Sequence, residues 1–287
     1  MVSWGVYGLA PLLKDFAGPI VQVSHGCGAW TESFLAASRA VTTHSVTTHS
    51  VAVSRAAATA FGHKRVTIIP NGVDPRRCEP LRPREVVRQE WGLLPHEIAV
   101  GFVGRISPEK NPSATSHAVR ALGPGYRAVY VGKGYGEDRR PAARDLTPDA
   151  VFVPPMQQVG DALHTLDCLI MASPAEGFSL VLIESLMAGL PVVVTPVGVV
   201  LDLEQDHGLS LTTVPAHPSP FHLAAAVRCA ISPANRVVVQ RGLAISLNHY
   251  SAKTMARRWA AYLQSIARQQ SNQWFEPSLA LLTPESR

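Results

Sequence analysis

Short apolar runs alternate with amphipathic segments along most of the chain beyond residue 65. The runs are rich in β-branched residues, whereas the segments between them repeat apolar residues at helical spacing. This alternation predicts βαβ units and a parallel sheet with helices on both faces. Strands are predicted at 66–70, 98–103, 128–131, 150–153, 167–172, 191–195 and 209–214, and helices at 112–122, 157–165 and 179–188. The first of these helices has Asn111 as its expected N-cap, and after Pro218 the pattern is helical almost throughout.

The beginning of the chain carries fewer signals. One strand is predicted at 19–26, a helical stretch follows around 31–40, and a second strand-like run ends at 50–54. These elements are too few for an independent doubly wound domain. We therefore expect a partial N-terminal domain over 1–62, a complete α/β domain over 63–266 and a frayed tail over 267–287.

The pentapeptide VTTHS occurs twice in tandem, at 41–45 and 46–50. Because side chains alternate along a strand, a five-residue duplication inside a strand would move every later side chain to the other face. We expect the repeat in a loop or bulge ahead of the strand. A metal site formed by His44 and His49 is the alternative, but these side chains would lie on opposite faces of a strand.

Composition excludes several classes of protein. Apolar residues make up 46% of the 287 residues and charged residues only 16%, which is typical of a folded domain and not of a disordered chain or a charge-rich coiled coil. The net charge is +5, but the Lys and Arg residues are scattered, so no nucleic-acid site is indicated. An anionic ligand or peripheral contact with an anionic membrane surface would each explain the basic bias.

The four cysteines and the apolar segments bear on location. The cysteines lie far apart without a CxxC pair, which favours a reducing, cytoplasmic compartment. The start of the chain lacks an early basic cluster, so a cleaved signal peptide is not expected. The most apolar window, 180–201, contains Glu184, two prolines and two glycines, so we expect no membrane span there.

The strongest chemical signal is SPAEGFSLVLIESLMAGLPVV at 173–193, which predicts a strand end, a turn and a helix. Glu176 lies in the turn at the carboxyl end of a strand, where open α/β sheets bind ligands. Glu184 lies among apolar residues of the helix and therefore needs a partner. Backbone amides at the helix start form an expected anion site, with donors from Gly177, Phe178, Ser179 and Leu180. The alternative is that Glu176 is an exposed turn residue and Glu184 caps a neighbouring helix.

A second strand-turn-helix signal is GFVGRISPEKN at 101–111. Arg105 and Lys110 follow the strand, so this loop and the Glu176 turn are expected to open toward one crevice. Two cations facing a helix N-terminus would form a diphosphate clamp. A surface salt bridge between Arg105 and Glu109 is the alternative.

A glycine-rich turn at 131–138, VGKGYGED, has glycines at every second position. This spacing differs from the GxGxxG loop of dinucleotide-binding proteins. We expect a loop that closes over the crevice and not a NAD site.

Four motifs in this order resemble a known family. They are IIPNGVD (68–74), GRISPEKN (104–111), EGFSLVLIE (176–184) and MAGLPVV (187–193). They look like the donor-binding half of the family 4 retaining glycosyltransferases of GT-B architecture, and the resemblance extends from about residue 65 to residue 263. The implied fold is a complete C-terminal Rossmann-like domain with a partial N-terminal one.

The resemblance also implies roles for individual residues. Arg105 and Lys110 would hold the donor diphosphate, Glu176 would contact hydroxyls of the donor sugar, and Glu184 would accept hydrogen bonds from the ribose diol. His25, after the first strand, would face the sugar from the other domain, with a hydrogen-bonded turn histidine as the alternative. The remaining implied donor-binding residues are Gly104, Val153 and Pro154, the last two near the base, and Gly177, Phe178, Ser179 and Leu180.

The implied reaction is transfer of a hexose from a UDP- or GDP-sugar with retention of anomeric configuration, through an oxocarbenium-like transition state. The acceptor would be a saccharide, a lipid-linked molecule or a small molecule. The resemblance implies that no cofactor or metal is required, which fits the absence of a DxD motif. Two alternatives stay open: a nucleotide-sugar-binding fragment that needs a partner or a missing N-terminal segment, and a sugar-nucleotide epimerase.

Overall fold

The computed structural model describes residues 19–26, 48–134 and 147–274, and their strands form two parallel sheets. In the first sheet the order is β1-β2-β3, with β1 (Ile20–Ser24), β2 (Thr48–Ala52) and β3 (Thr67–Ile68). The second sheet is formed by β4 (Ile98–Val103), β5 (Tyr126–Val131), β6 (Val151–Val153), β7 (Cys168–Met171), β8 (Val192–Val194) and β9 (Thr212–Thr213). Every paired strand is parallel, which confirms the predicted α/β class.

Helices connect the strands and form the end of the described chain. They are α1 (Arg55–Phe61), α2 (Arg84–Glu90), α3 (Ser113–Leu122), α4 (Val159–Thr165), α5 (Leu180–Met187), α6 (Val199–His207), α7 (Pro220–Ala230), α8 (Arg236–His249) and α9 (Ala252–Trp274). Short 3₁₀ helices occur at Pro75–Cys78, Pro108–Lys110 and Pro233–Asn235. The predicted helices at 112–122, 157–165 and 179–188 and the helical region after Pro218 are confirmed.

The order of the second sheet is β6-β5-β4-β7-β8-β9. The chain therefore builds outward from β4 in one direction and then returns to begin again at β7 in the other. The connections that leave the carboxyl ends of β4 and β7 diverge, and in open parallel sheets this divergence leaves a crevice that binds ligands. The loop at 104–111 follows β4, and the turn at Glu176 follows β7.

Alternate residues of these strands pack into separate cores on the two faces of the sheet. In β5, Val129 and Val131 belong to one core, while Ala128 and Tyr130 belong to the other. The first core also contains Val53 and Ala57 from the region of the first sheet. This two-sided burial explains why the strands are apolar at consecutive positions.

Several predictions of local structure were wrong. Asn111 is not the N-cap of α3, because it ends the preceding 3₁₀ turn at a φ of 47° and its amide donates to Ala172 O at 3.2 Å. The strand predicted at 66–70 is present as β3, but it pairs with β2 in the first sheet and not with the strands that follow it along the chain. Residues 48–50 of the second VTTHS copy lie inside β2 and not ahead of it. The predicted helix around 31–40, His44 and residues after 274 lie outside the described residues.

Two backbone hydrogen bonds join the segment that follows β3 of the first sheet to the junction between α8 and α9, which lies beyond the last strand of the second sheet. Val73 donates to Tyr250 O at 2.9 Å, and Ala252 donates to Val73 O at 2.7 Å. Gly72 is required here, because a Cβ on it would lie 2.6 Å from Ser251 O. The helix α9 that follows returns to β2, where the Tyr262 ring meets His49 edge-on.

A charged contact joins α1 to α6. Arg55 Nη1 lies 2.9 Å from Asp202 Oδ1, and Arg55 Nη2 lies 2.7 Å from Asp206 Oδ1. The backbone N–H of Arg55 also donates to the Asp202 carboxylate at 3.3 Å, at the N-terminus of α1. Burial raises the pKa of Asp202, and the hydrogen bonds from Arg55 oppose that rise. Arg55 therefore offsets the cost of burying Asp202.

Replacing Arg55 by alanine should lower the free energy of unfolding by about 1–2 kcal/mol, measured by urea denaturation. Loss of one partner from a fully buried ion pair costs about 3–5 kcal/mol, but Arg55 is 38% exposed, so water lowers the cost. The double variant Arg55→Ala, Asp202→Asn is the control, because it removes the unpaired charge. It should be more stable than the single variant at pH 7, and equal stability would contradict the account.

Candidate functional site

The loop after β4 begins at a close contact between two glycines. A Cβ on Gly132, which has a φ of 148°, would lie 1.9 Å from Gly104 O, so the loops that follow β4 and β5 touch through their backbones. Arg105 follows directly and is 43% exposed. Its Nη2 lies 3.0 Å from Glu109 Oε1. The salt bridge weighed as an alternative to the diphosphate clamp is therefore present.

Lys110 and Glu176 meet across the switch point between β4 and β7. Lys110 Nζ lies 2.7 Å from each carboxylate oxygen of Glu176. The Glu176 side chain is only 7% exposed and that of Lys110 29%, so the pair is shielded from water. The loops after the two central strands therefore converge as the sequence predicted, and Glu176 is not an exposed turn residue.

The start of α5 lies beside this ion pair. Ser179 occupies the N-cap position with a φ of 77° and accepts no hydrogen bond from the first turn of the helix. Its hydroxyl donates instead to Met171 Sδ at 2.7 Å. Phe178 is buried, with its ring 6.1 Å from that of Tyr250, and Leu180 is exposed. The uncapped first turn thus keeps its positive dipole end available for an anion.

Glu184 is a buried carboxylate in the middle of α5. Among the described residues it forms one ion pair, with Arg77 in the 3₁₀ helix Pro75–Cys78, where Nη2 lies 3.7 Å from Oε1. Desolvation raises the pKa of Glu184, and the charge of Arg77 opposes this rise. Burial and the nearby Glu184 charge raise the pKa of the Cys78 thiol to about 12. The carboxylate of Glu184 therefore lies in surroundings of low polarity and can still accept hydrogen bonds from a ligand. Sequence analysis missed Arg77, for which the adjacent arginines after NGVD were the available signal.

A cavity of about 550 Å³ opens at the carboxyl ends of β4 and β5, a volume typical of small-molecule sites. Val153 and Pro154, predicted near a base, are not among its lining residues. The Val153 carbonyl accepts from Gly132 N at 3.0 Å, so it is used within the sheet. The next two residues along the chain, Pro155 and Met156, line the cavity instead. The lining residues are Val103, Gly104, Arg105, Val131, Gly132, Lys133, Gly134, Pro155, Met156 and Val159. Residues 135–138 of the glycine-rich turn lie outside the described residues.

His25 follows β1 and brings the first region of the chain to the Glu176 turn. A Cβ on Gly177 would lie 2.1 Å from His25 O, so the approach of these two backbones requires glycine. Desolvation lowers the pKa of His25, which favours the neutral imidazole at pH 7. The structure therefore brings the backbone of His25 to the Glu176 turn, and the role implied for its side chain stays a prediction.

The part of the chain that the structure describes contains neither a metal-binding cluster nor a membrane-spanning helix. Within ranges 19–26, 48–134 and 147–274, no group of three or more His, Cys, Asp and Glu side chains is placed to hold a metal ion. None of the helices in the same ranges is long and apolar enough to cross a membrane.

Part of the chain is similar in sequence to known glycosyltransferases. Residues 97–232 match the family described as Glycosyl transferases group 1. Over 144 residues the chain is 35% identical to D-inositol 3-phosphate glycosyltransferase of Mycobacteroides abscessus, covering 47% of this chain and 32% of that protein. Over 154 residues it is 34% identical to GDP-mannose-dependent alpha-mannosyltransferase of Mycobacterium tuberculosis, covering 53% and 39%. The matches thus span about a third of the length of these relatives.

The fold has clear counterparts among solved structures. Anabaena HepE in complex with UDP superposes with a TM-score of 0.79 at 21% identity, over 91% of this chain and 76% of that one. Sucrose-phosphate synthase from Thermosynechococcus elongatus gives a TM-score of 0.73 at 18% identity, over 90% and 70%. The architecture is the predicted GT-B type. With the family match over residues 97–232, it makes this part of the chain similar to the glycosyl transferases group 1 family in both sequence and fold.

Proposed function

We propose that this protein transfers a sugar from a nucleoside-diphosphate sugar to an acceptor hydroxyl with retention of anomeric configuration. The observation that carries the proposal is the pairing of Lys110 with Glu176 across the switch point, 2.7 Å apart and shielded from water. A cation there suits a diphosphate, and a carboxylate there suits sugar hydroxyls. Both are needed where the bond between sugar and diphosphate breaks.

The neighbouring groups support the same substrate. Arg105 lines the cavity at the start of the loop that carries Lys110, and the uncapped start of α5 adds backbone donors. Together they would stabilise the charge that develops on the departing nucleoside diphosphate, which is the main demand of a reaction with an oxocarbenium-like transition state. Glu184 would accept from the ribose diol, and His25 would face the sugar.

The classes of donor and acceptor that we propose rest on the charges of the site and on the names of the relatives. The relative named a GDP-mannose-dependent mannosyltransferase supports a GDP-sugar, and UDP-sugars are the second candidates. Hexoses fit the named relatives, and saccharides, lipid-linked molecules and small polyols are the acceptor classes to test. We expect no requirement for a divalent cation, because Arg105 and Lys110 would supply the positive charge.

The test compares nucleotide binding and transfer in Arg105→Ala and Arg236→Ala. We expect UDP or GDP to bind the wild-type chain, and Arg105→Ala to weaken binding by about 10-fold through loss of a charged contact. Arg236 is an exposed arginine at the start of α8 and does not line the cavity, so its replacement is the matched control. Isothermal titration gives the affinities, and proton NMR of the product gives its anomeric configuration.

Three results would count against the proposal. Absence of diphosphate binding in the wild type would reject the site, and an inverted product would reject retention. Loss of transfer in EDTA would reject catalysis without a metal. Binding without transfer to any acceptor would favour the nucleotide-sugar-binding fragment.

A further inference from the structure

The turn that carries Glu176 is held from two sides through its carbonyl oxygens. Ser54 Oγ, 123 residues away along the chain, donates to Gly177 O. The N–H of Val199, the first residue of α6, donates to Phe178 O at 3.2 Å. The two anchors come from distant parts of the chain, since Ser54 immediately precedes α1 and Val199 begins α6.

These anchors fix the direction of two backbone donors. In a trans peptide the C=O and N–H groups point in opposite directions. With the Gly177 carbonyl held by Ser54, the N–H of Phe178 points away from Ser54. With the Phe178 carbonyl held by Val199, the N–H of Ser179 points away from Val199. Neither N–H has an acceptor among the residues that the structure describes.

Ser54 is itself rigidly placed. It is fully buried, and its hydroxyl oxygen accepts from Ala57 N at 3.0 Å as the N-cap of α1. The next residue, Arg55, binds Asp202 and Asp206 on α6 through its side chain. Because α6 begins at Val199, α1 is tied to the helix that supplies the second anchor. The turn, α1 and α6 therefore form one connected unit.

We propose that Ser54 is a positioning residue for the diphosphate-binding turn. Its hydroxyl holds the peptide between Gly177 and Phe178 so that the donors at the start of α5 face the donor diphosphate. The inference rests on the proposed function, which supplies the diphosphate. Ser54 acts through the turn and does not contact the substrate, so it differs from Lys110 and Arg105.

The experiment compares the affinities of nucleoside and nucleoside diphosphate for the full chain, by isothermal titration with uridine, guanosine, UDP and GDP. Ser54→Ala and Ser54→Gly should each weaken diphosphate binding by about 5- to 10-fold, the effect of one misplaced charged hydrogen bond. Nucleoside affinity should stay unchanged, and Ser54→Thr should restore diphosphate affinity. Glycine is nearly as good an N-cap as serine, so Ser54→Gly separates the Gly177 contact from helix stability.

The matched control is Ser219→Ala, which removes the N-cap of α7. Ser219 Oγ accepts from His222 N at 3.2 Å, so this change costs a comparable cap without touching the turn. It should leave diphosphate affinity unchanged. If Ser54→Gly binds the diphosphate as tightly as the wild type does, the positioning role is overturned while the proposed function stands. If the wild type gains no affinity from the diphosphate, both are overturned.

Discussion

Replacing Lys110 by alanine should lower the rate of sugar transfer by about 100- to 1000-fold, the range for loss of one group that stabilises developing charge. In the structure Lys110 Nζ bonds to both oxygens of Glu176. The variant therefore loses the cation for the diphosphate and also leaves a nearly buried carboxylate unpaired. We expect the free energy of unfolding to fall by about 2–3 kcal/mol as well.

The double variant Lys110→Ala, Glu176→Gln separates these two effects. Neutralising Glu176 removes the unpaired charge, so stability in urea denaturation should recover toward the wild-type value. Transfer should not recover, because the cation for the diphosphate is still absent and the carboxylate for the sugar hydroxyls has been replaced by an amide. A double variant that regains most of the activity would show that Lys110 serves only to neutralise Glu176.

Glu184 should show opposite effects on stability and on binding. Its folded-state pKa is raised by burial, so the ionised side chain costs free energy at pH values above the ordinary carboxyl range. Glu184→Gln should therefore be more stable than the wild type at pH 7, by about 1 kcal/mol. The difference should shrink as the pH falls through the raised pKa, where the wild-type side chain becomes protonated. Urea denaturation at pH 7 and at pH 4.5 measures it.

The same variant should bind nucleotides less well. A carboxylate that accepts from a ribose diol contributes about 1.5–3 kcal/mol, so the affinity for UDP or GDP should fall by about 10- to 100-fold. The matched ligand is the 2′-deoxynucleotide, which should bind the wild type more weakly and bind the Glu184→Gln variant about as well as the ribonucleotide. Equal discrimination by both proteins would remove Glu184 from the ribose site.

Local pattern predicted most of the second sheet. The strand at 98–103 was predicted with the bounds that the structure gives, since an apolar run between Glu97 and Gly104 suits a strand buried on both faces. The convergence of Lys110 and Glu176 also followed from sequence, because residues after central parallel strands share one edge of the sheet. The predicted domain bounds and the roles of the site residues stay predictions.

The missed features depend on contacts distant in sequence. Helix α6 was not predicted, because it continues an apolar window and begins after Gly198, which has a φ of 57° and lies against Glu176. Ser54 was predicted only as the last residue of the strand-like run at 50–54, and its bond to Gly177 spans 123 residues. The pairing of β3 with β2 likewise depends on tertiary position. Propensity and periodicity carry no information about such partners.

The contacts that Gly72 and Val73 make with residues 250–255 bear on how the protein folds. Gly72 donates to Met255 Sδ at 3.1 Å across 183 residues of chain, and Val73 pairs with the backbone on both sides of Ser251. Contacts of such separation carry a large loop-closure entropy, which the shorter-range contacts of the second sheet do not. During refolding, these contacts should therefore form late, after the second sheet has brought residues 250–255 close to residues 72–73.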